Sequence, residues 1–152
     1  MTIEIAPDAL LPVALVFGLL VGSFLNVVIH RVPEGQSIVS PPSHCPGCET
    51  RIKPWDNVPL LSYLLLRGRC RSCGSSISLR YPAIELLTGL LFAAITWRFG
   101  ATPWTVLYCV FGAALIAAAM IDHDHQIIPD SISLGGLAAA LVLVPCLLYT
   151  SD

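Results

Sequence analysis

Two groups of residues have types and spacings that can do chemistry. Cys45-Pro46-Gly47-Cys48 and Cys70-Arg71-Ser72-Cys73 are Cys-x-x-Cys pairs with 21 residues between them. Such knuckles present four thiolates to one tetrahedral ion, so the spacing predicts a structural zinc site at Cys45, Cys48, Cys70 and Cys73, as in zinc ribbons. Pro46-Gly47, and Gly74 after Cys73, suit the tight turns that a knuckle requires. A redox dithiol is the competing reading of the same motif. His44 beside Cys45 reads as an exposed loop residue, and Cys109 and Cys146, in apolar runs, as packing residues.

The second group is Ile121-Asp122-His123-Asp124-His125-Gln126-Ile127-Ile128-Pro129-Asp130, with three carboxylates and two imidazoles at the end of an apolar stretch. Asp122 abuts that stretch. An acid at the edge of a membrane is costly and marks function by default, and partial desolvation favours the neutral form that acid–base work at a carboxylate pair requires. Asp122 is therefore the candidate catalytic carboxylate. Asp124 and Asp130 read as solvated charges or helix caps, with Asp130 before Ser131 suited to starting a helix. His123-x-His125 with its flanking acids is a looser metal pattern.

These residues need elements to hold them, and the composition says which. Of 152 residues, 55% are apolar and 12% charged, with a mean hydropathy of +0.77. A soluble monomer of this size has too little interior for so much apolar surface. The composition also excludes a disordered chain, and six Cys are too few for a disulfide-dense scaffold. Apolar runs predict four membrane-spanning helices, over residues 9–29, 81–98, 99–121 and 131–151, since about 20 residues cross a bilayer. The second carries Glu85 one turn in. The first is not a cleaved signal peptide, because Glu4 and Asp8 precede it where basic residues belong. Gly18 and Gly22 have the spacing of a close helix seam, or are two small residues of no packing consequence. The expected fold is an all-α polytopic membrane protein with a small zinc-ribbon-like loop domain over 30–80 and an acidic turn over 122–130.

The net charge of −2 is unevenly spread. Seven of the eight Lys and Arg lie between Arg31 and Arg80 with three acids, giving that stretch +4 and the remainder −6. A short basic loop stays inside. The loop and the acidic turn are thus expected in the cytoplasm, with the N-terminus outside. Arg67, Arg69 and Arg71 either meet lipid phosphates or an acidic partner, or form a solvated face that serves topology alone. Lipid is the expected surroundings, and no nucleic-acid partner is expected.

Three stretches in this order resemble one family. Gly22-Ser23-Phe24-Leu25-Asn26-Val27-Val28-Ile29-His30-Arg31-Val32-Pro33 resembles the first-helix signature of the type IV prepilin peptidases. The four-cysteine loop, running into Arg80-Tyr81-Pro82-Ala83-Ile84-Glu85-Leu86-Leu87-Thr88-Gly89, resembles their cytoplasmic domain, here about residues 18–100. Ile121-Asp122 through Ile128-Pro129-Asp130 is similar to their first catalytic aspartate motif. The resemblance implies an inner-membrane aspartic peptidase that cleaves the basic leader of prepilins and pseudopilins at the cytoplasmic face, with Asp122 as the first catalytic carboxylate. It also implies methylation of the new N-terminal amine with S-adenosylmethionine, in the service of type IV pili or type II secretion. The family associates the cysteine loop with zinc and with the methyltransferase, although some members lack it.

One feature departs from the family. Its second carboxylate lies in a Gly-x-Gly-Asp motif after the next helix, and here the sole acid after Asp130 is Asp152. The sequence is therefore expected to be an N-terminal fragment, truncated in its fourth span, with Pro145 to Asp152 foreign to the family and no prepilin cleavage by this chain alone. Two other readings stand beside the peptidase. One is a non-catalytic, membrane-anchored zinc-ribbon binding module. The other is a membrane metalloenzyme using His123, His125 and the nearby Asp residues.

Overall fold

The computed structural model describes residues 7–127, 130, 133–136 and 138, and within them the chain is helical, with no strand beyond two isolated bridges. Helix α1 runs Pro7–Arg31, a short helix α2 Leu61–Leu65, α3 Arg80–Phe99 and α4 Pro103–His125. Three segments, Ala9–Arg31, Arg80–Phe99 and Pro103–His125, are long and apolar enough to cross a membrane. Most of the fourth expected span, 131–151, lies outside the described residues, as do Cys146 and Asp152.

The helix ends follow local chemistry. Gly100, at φ +66°, stops α3, and its N–H bonds back to the carbonyl of Thr96. Thr102 then caps α4, its side chain accepting from the N–H of Thr105, and Pro103 opens the first turn where its missing N–H is no loss. The third span thus begins at Pro103, four residues later than the apolar run at Phe99 suggests. It also continues through Asp122-His123-Asp124-His125, which the sequence reading assigns to a turn. Gln126 ends it in the left-handed region (φ +57°), with its N–H on the carbonyl of Asp122. Helical hydrogen bonding extends past the last apolar residue because nothing from Asp122 to His125 breaks it.

Helices α1 and α3 make the closest contact. A Cβ on Gly18 would lie 2.7 Å from Cα of Gly89, and one on Gly22 would lie 2.7 Å from Cα of Glu85. Gly18 and Gly22 are therefore a packing seam, of the small-residue kind by which membrane helices associate when lipid removes the hydrophobic drive. Leu25, Ile29, Ile84, Phe92, Ala113, Ala117 and Ile121 form the buried cluster that α4 completes. Thr88, fully buried, gives its hydroxyl to the carbonyl of Ile84, so no polar atom is orphaned in the seam.

A Gly18→Ala substitution is expected to destabilise the bundle by about 1–3 kcal/mol, since the obstacle is backbone. Gly112→Ala should cost less, because its added methyl meets the tip of Leu91, which can turn away. Thermal unfolding in detergent checks the order, and an unchanged midpoint for Gly18→Ala would remove the seam.

Candidate functional site

The loop after α1 is tied down at its start. Arg31, buried at the last turn, donates to the carbonyls of Ser37 (2.9 Å) and Pro41 (2.7 Å). Two knuckles of matching geometry follow. In the first, the N–H of Cys45 bonds to the carbonyl of Thr50 and that of Glu49 to the carbonyl of Cys45. In the second, the N–H of Cys70 bonds to the carbonyl of Ser75 and that of Gly74 to the carbonyl of Cys70. Each turn has a residue of positive φ directly after its second cysteine, Glu49 (+55°) or Gly74 (+73°). Isolated bridges, His44 with Arg51 and Arg69 with Ser76, close the two hairpins.

This pairing brings all four sulfurs together, within 4.8 Å of one another. Cys45 Sγ lies 3.8 Å from Cys73 Sγ, and Cys48 Sγ lies 4.0 Å from Cys70 Sγ. A tetrahedral ion with metal–sulfur bonds of about 2.3 Å sets its sulfurs about 3.8 Å apart, so the quartet fits such an ion. Cys45 is buried and Cys48 and Cys70 are half-buried, while His44 is exposed and outside the set.

Two hydroxyls complete the cluster, and the sequence reading does not single them out. Ser75 Oγ lies 3.1 Å from Cys73 Sγ and 3.4 Å from Cys45 Sγ, and Thr50 Oγ1 lies 3.4 Å from Cys48 Sγ. Each sits two residues after a knuckle's second cysteine, which is the signal that finds them. The Ser75 hydroxyl, then the Gly47 amide, hold the Cys45 thiol down to about 6. Ser75 likewise lowers Cys73. Thr50 pulls Cys48 down by side chain and backbone, but the Cys73 and Cys45 sulfurs and burial outweigh it, and that thiol is raised. Arg71, inside the second knuckle, is not a free basic residue. Its guanidinium grips Asp56 with Nε 3.0 Å from both carboxylate oxygens, which locks the knuckle to the 3-10 turn Pro54–Asn57 and holds the Asp56 carboxyl below its usual range.

The acidic group is arranged differently from the cysteines. Asp122, in the last turn of α4, is exposed, next to the fully buried Ile121. Asp124, read from sequence as a solvated charge or a cap, is an exposed charge. It pairs with Arg80 at the start of α3 (Nη1 to Oδ1 2.8 Å), and Arg80 also reaches the carbonyl of Met120. The start of α3 and the end of α4 are thereby joined. Between them lies a cavity of about 240 Å³ lined by Asn26, His30, Arg80, Tyr81, Asp124 and His125, among others. His123 and His125, two apart on a helix, do not face one another. Among the described residues the cysteine quartet is the one group of three or more potential ligands close enough to hold a metal, so the two histidines and the acids do not assemble a second.

In metal-free protein, Cys45 should alkylate with a midpoint near pH 6. Its thiol is therefore mostly thiolate at pH 7. Ser75→Ala should move that midpoint up toward the ordinary thiol value and slow the reaction at pH 7. Mass-spectrometric alkylation rates against pH would measure both.

The profile of the bacterial peptidase A24 N-terminal domain matches residues 16–99. The chain is 54% identical to a prepilin leader peptidase/N-methyltransferase of Myxococcus xanthus over 84% of its own length and 38% of the relative's. It is 44% identical to one of Neisseria gonorrhoeae, over 81% of this chain and 51% of the relative. It is 43% identical to a type 4 prepilin-like proteins leader peptide-processing enzyme of Escherichia coli, over 90% of this chain and 57% of the relative. The chain thus spans about half the length of the curated relatives it matches. No solved structure matches it. The matched stretch holds the α1–α3 seam and both knuckles, and on that ground the chain belongs to the bacterial peptidase A24 family through its N-terminal domain.

Proposed function

We propose that the chain is part of a membrane aspartic endopeptidase that removes prepilin and pseudopilin leaders at the cytoplasmic face of the inner membrane, and that also N-methylates the exposed residue. The observation that carries this reading is that the metal loop and Asp122 share one end of the bundle. Helix α1 ends at Arg31, α3 starts at Arg80, and Arg80 pairs with Asp124 two residues past Asp122. The basic charge of the loop favours the cytoplasm for that end, with the N-terminus periplasmic. A leader presented there would meet both features. The relatives' names support peptidase and methyltransferase activities for those proteins.

In this reading Asp122 and a second carboxylate share one proton and activate the water that attacks the scissile carbonyl. Asp124 cannot serve as that second group. It points to another side of the helix and is engaged by Arg80. Its role is to fix the helix end that carries Asp122. The four cysteines hold one structural zinc, closed to substrate, which gives a small loop its fold. The cavity at the helix ends, about 240 Å³, is smaller than the roughly 300–1,000 Å³ of small-molecule sites. The methyl-transfer chemistry is assigned to none of the described residues.

Purified protein should contain one zinc per chain, lost when Cys70 and Cys73 are both changed to Ser; elemental analysis would read it, and metal-free protein prepared without chelator would refute the site. In a chain extended to the relatives' full length, Asp122→Asn should cut leader cleavage by roughly 10²–10⁴-fold without loss of insertion, because the amide cannot transfer the proton. Asp124→Asn should lower the melting temperature more than the chemical rate. Equal loss of cleavage from both would instead point to a fragile helix end.

A further inference from the structure

The segment between the two knuckles is built inside out. Ser62, the polar residue of α2, is buried; its hydroxyl donates to the carbonyl of Trp55 (2.9 Å) and accepts from the N–H of Val58 (3.1 Å). Leu61, Leu64 and Leu65 form the outward face, at helical spacing, and are 53%, 71% and 72% exposed, with Trp55 63% exposed as well. A five-residue helix that hides its serine and shows its leucines is matched to an apolar medium.

Its position supplies the medium. Leu60, the residue before α2, donates its N–H to Glu85 Oε2 at 2.8 Å. Glu85 lies five residues into α3, about 7.5 Å along the axis at 1.5 Å per residue. At 20 residues, α3 is just long enough to cross the roughly 30 Å of hydrocarbon. Leu60 is therefore tethered inside the end of a membrane span, at the depth of about 5–10 Å that interfacial helices reach. The bond also accounts for a carboxylate in an apolar helix: it satisfies a backbone N–H that lipid could not. The flanks carry the complementary charge. Lys53 lies 5.5 Å from the centre of the Trp55 ring, and the exposed Arg67 and Arg69 follow α2.

We propose that residues 55–66 are an interfacial anchor, lying in the headgroup–acyl boundary of an anionic leaflet and holding the cysteine knuckles against the membrane. The proposal concerns lipid contact and does not depend on the peptidase reading. It is tested with the full chain in vesicles of phosphatidylethanolamine and phosphatidylglycerol, with Trp97→Phe and Trp104→Phe leaving Trp55 as the sole emitter. A second protein adds Trp55→Phe and Leu64→Trp, to report from α2. Emission from both should be quenched by lipids brominated near the headgroup more than by lipids brominated toward the chain ends. Acrylamide in the aqueous phase should quench each at least about twofold less than in the denatured chain. Ready quenching by acrylamide with no response to brominated lipid would place the segment in water. Protection from both quenchers would mean that another protein segment or a second copy covers it. Either result overturns the proposal.

Discussion

The rest of the structure depends on how closely α1 approaches α3. In a bilayer, side chains gain little by leaving lipid, so two helices hold together by contact and by satisfying each other's polar groups. Glycine at 18, 22 and 89 removes the atoms that would keep the backbones apart. The consequences extend beyond packing. The Cα of Glu85 sits against Gly22, so the seam also fixes the carboxylate that receives the N–H of Leu60. The same rotation of α3 sets Arg80 toward the end of α4, where Asp124 meets it. One backbone contact thus determines where the loop is tethered and where the helix bearing Asp122 ends.

The loop shows how a segment with little core of its own becomes ordered. It has two knuckles, each closed by two backbone hydrogen bonds, and four sulfurs spaced for one tetrahedral ion. Polar links attach these knuckles to everything around them: Arg31 to the carbonyls of residues 37 and 41, Arg71 to Asp56, Ser62 to Trp55 and Val58. Ser75 places its hydroxyl against Cys45 and Cys73 and favours the thiolate form that a metal requires, and Thr50 Oγ1 lies against Cys48. The arginines of this loop divide their labour. Arg31 and Arg71 are structural, whereas Arg67 and Arg69 keep exposed charge beside the leucine face.

Particular residues show how much could be read in advance. The cysteine quartet was legible because the ligand requirement of a tetrahedral site is encoded in two short motifs, whatever the fold around them. The membrane helices were legible because hydrocarbon demands long apolar runs, and α1 and α3 fall within two residues of the runs that predicted them. The start of α4 was missed although its signals were local, because Gly100, Thr102 and Pro103 interrupt an apolar stretch that hydropathy alone treats as continuous. The partner of Asp124 was hidden for a different reason. Arg80 is 44 residues away, and no local pattern tells which exposed acid is paired.

The division between sequence and tertiary structure follows from the range of the forces involved. Composition, spacing and charge placement by themselves determined a helical membrane protein, a four-thiolate cluster, a basic loop and an acidic residue at a helix edge, since each is set by neighbours in the chain. Only the tertiary structure decided that Gly18 and Gly22 pack on α3, that Glu85 reaches Leu60, that Asp124 is held by Arg80, and that the leucines of α2 face away from the protein. Each of these joins residues many positions apart, or depends on which face of a helix turns outward. The close packing of α1 on α3 fixes those relations.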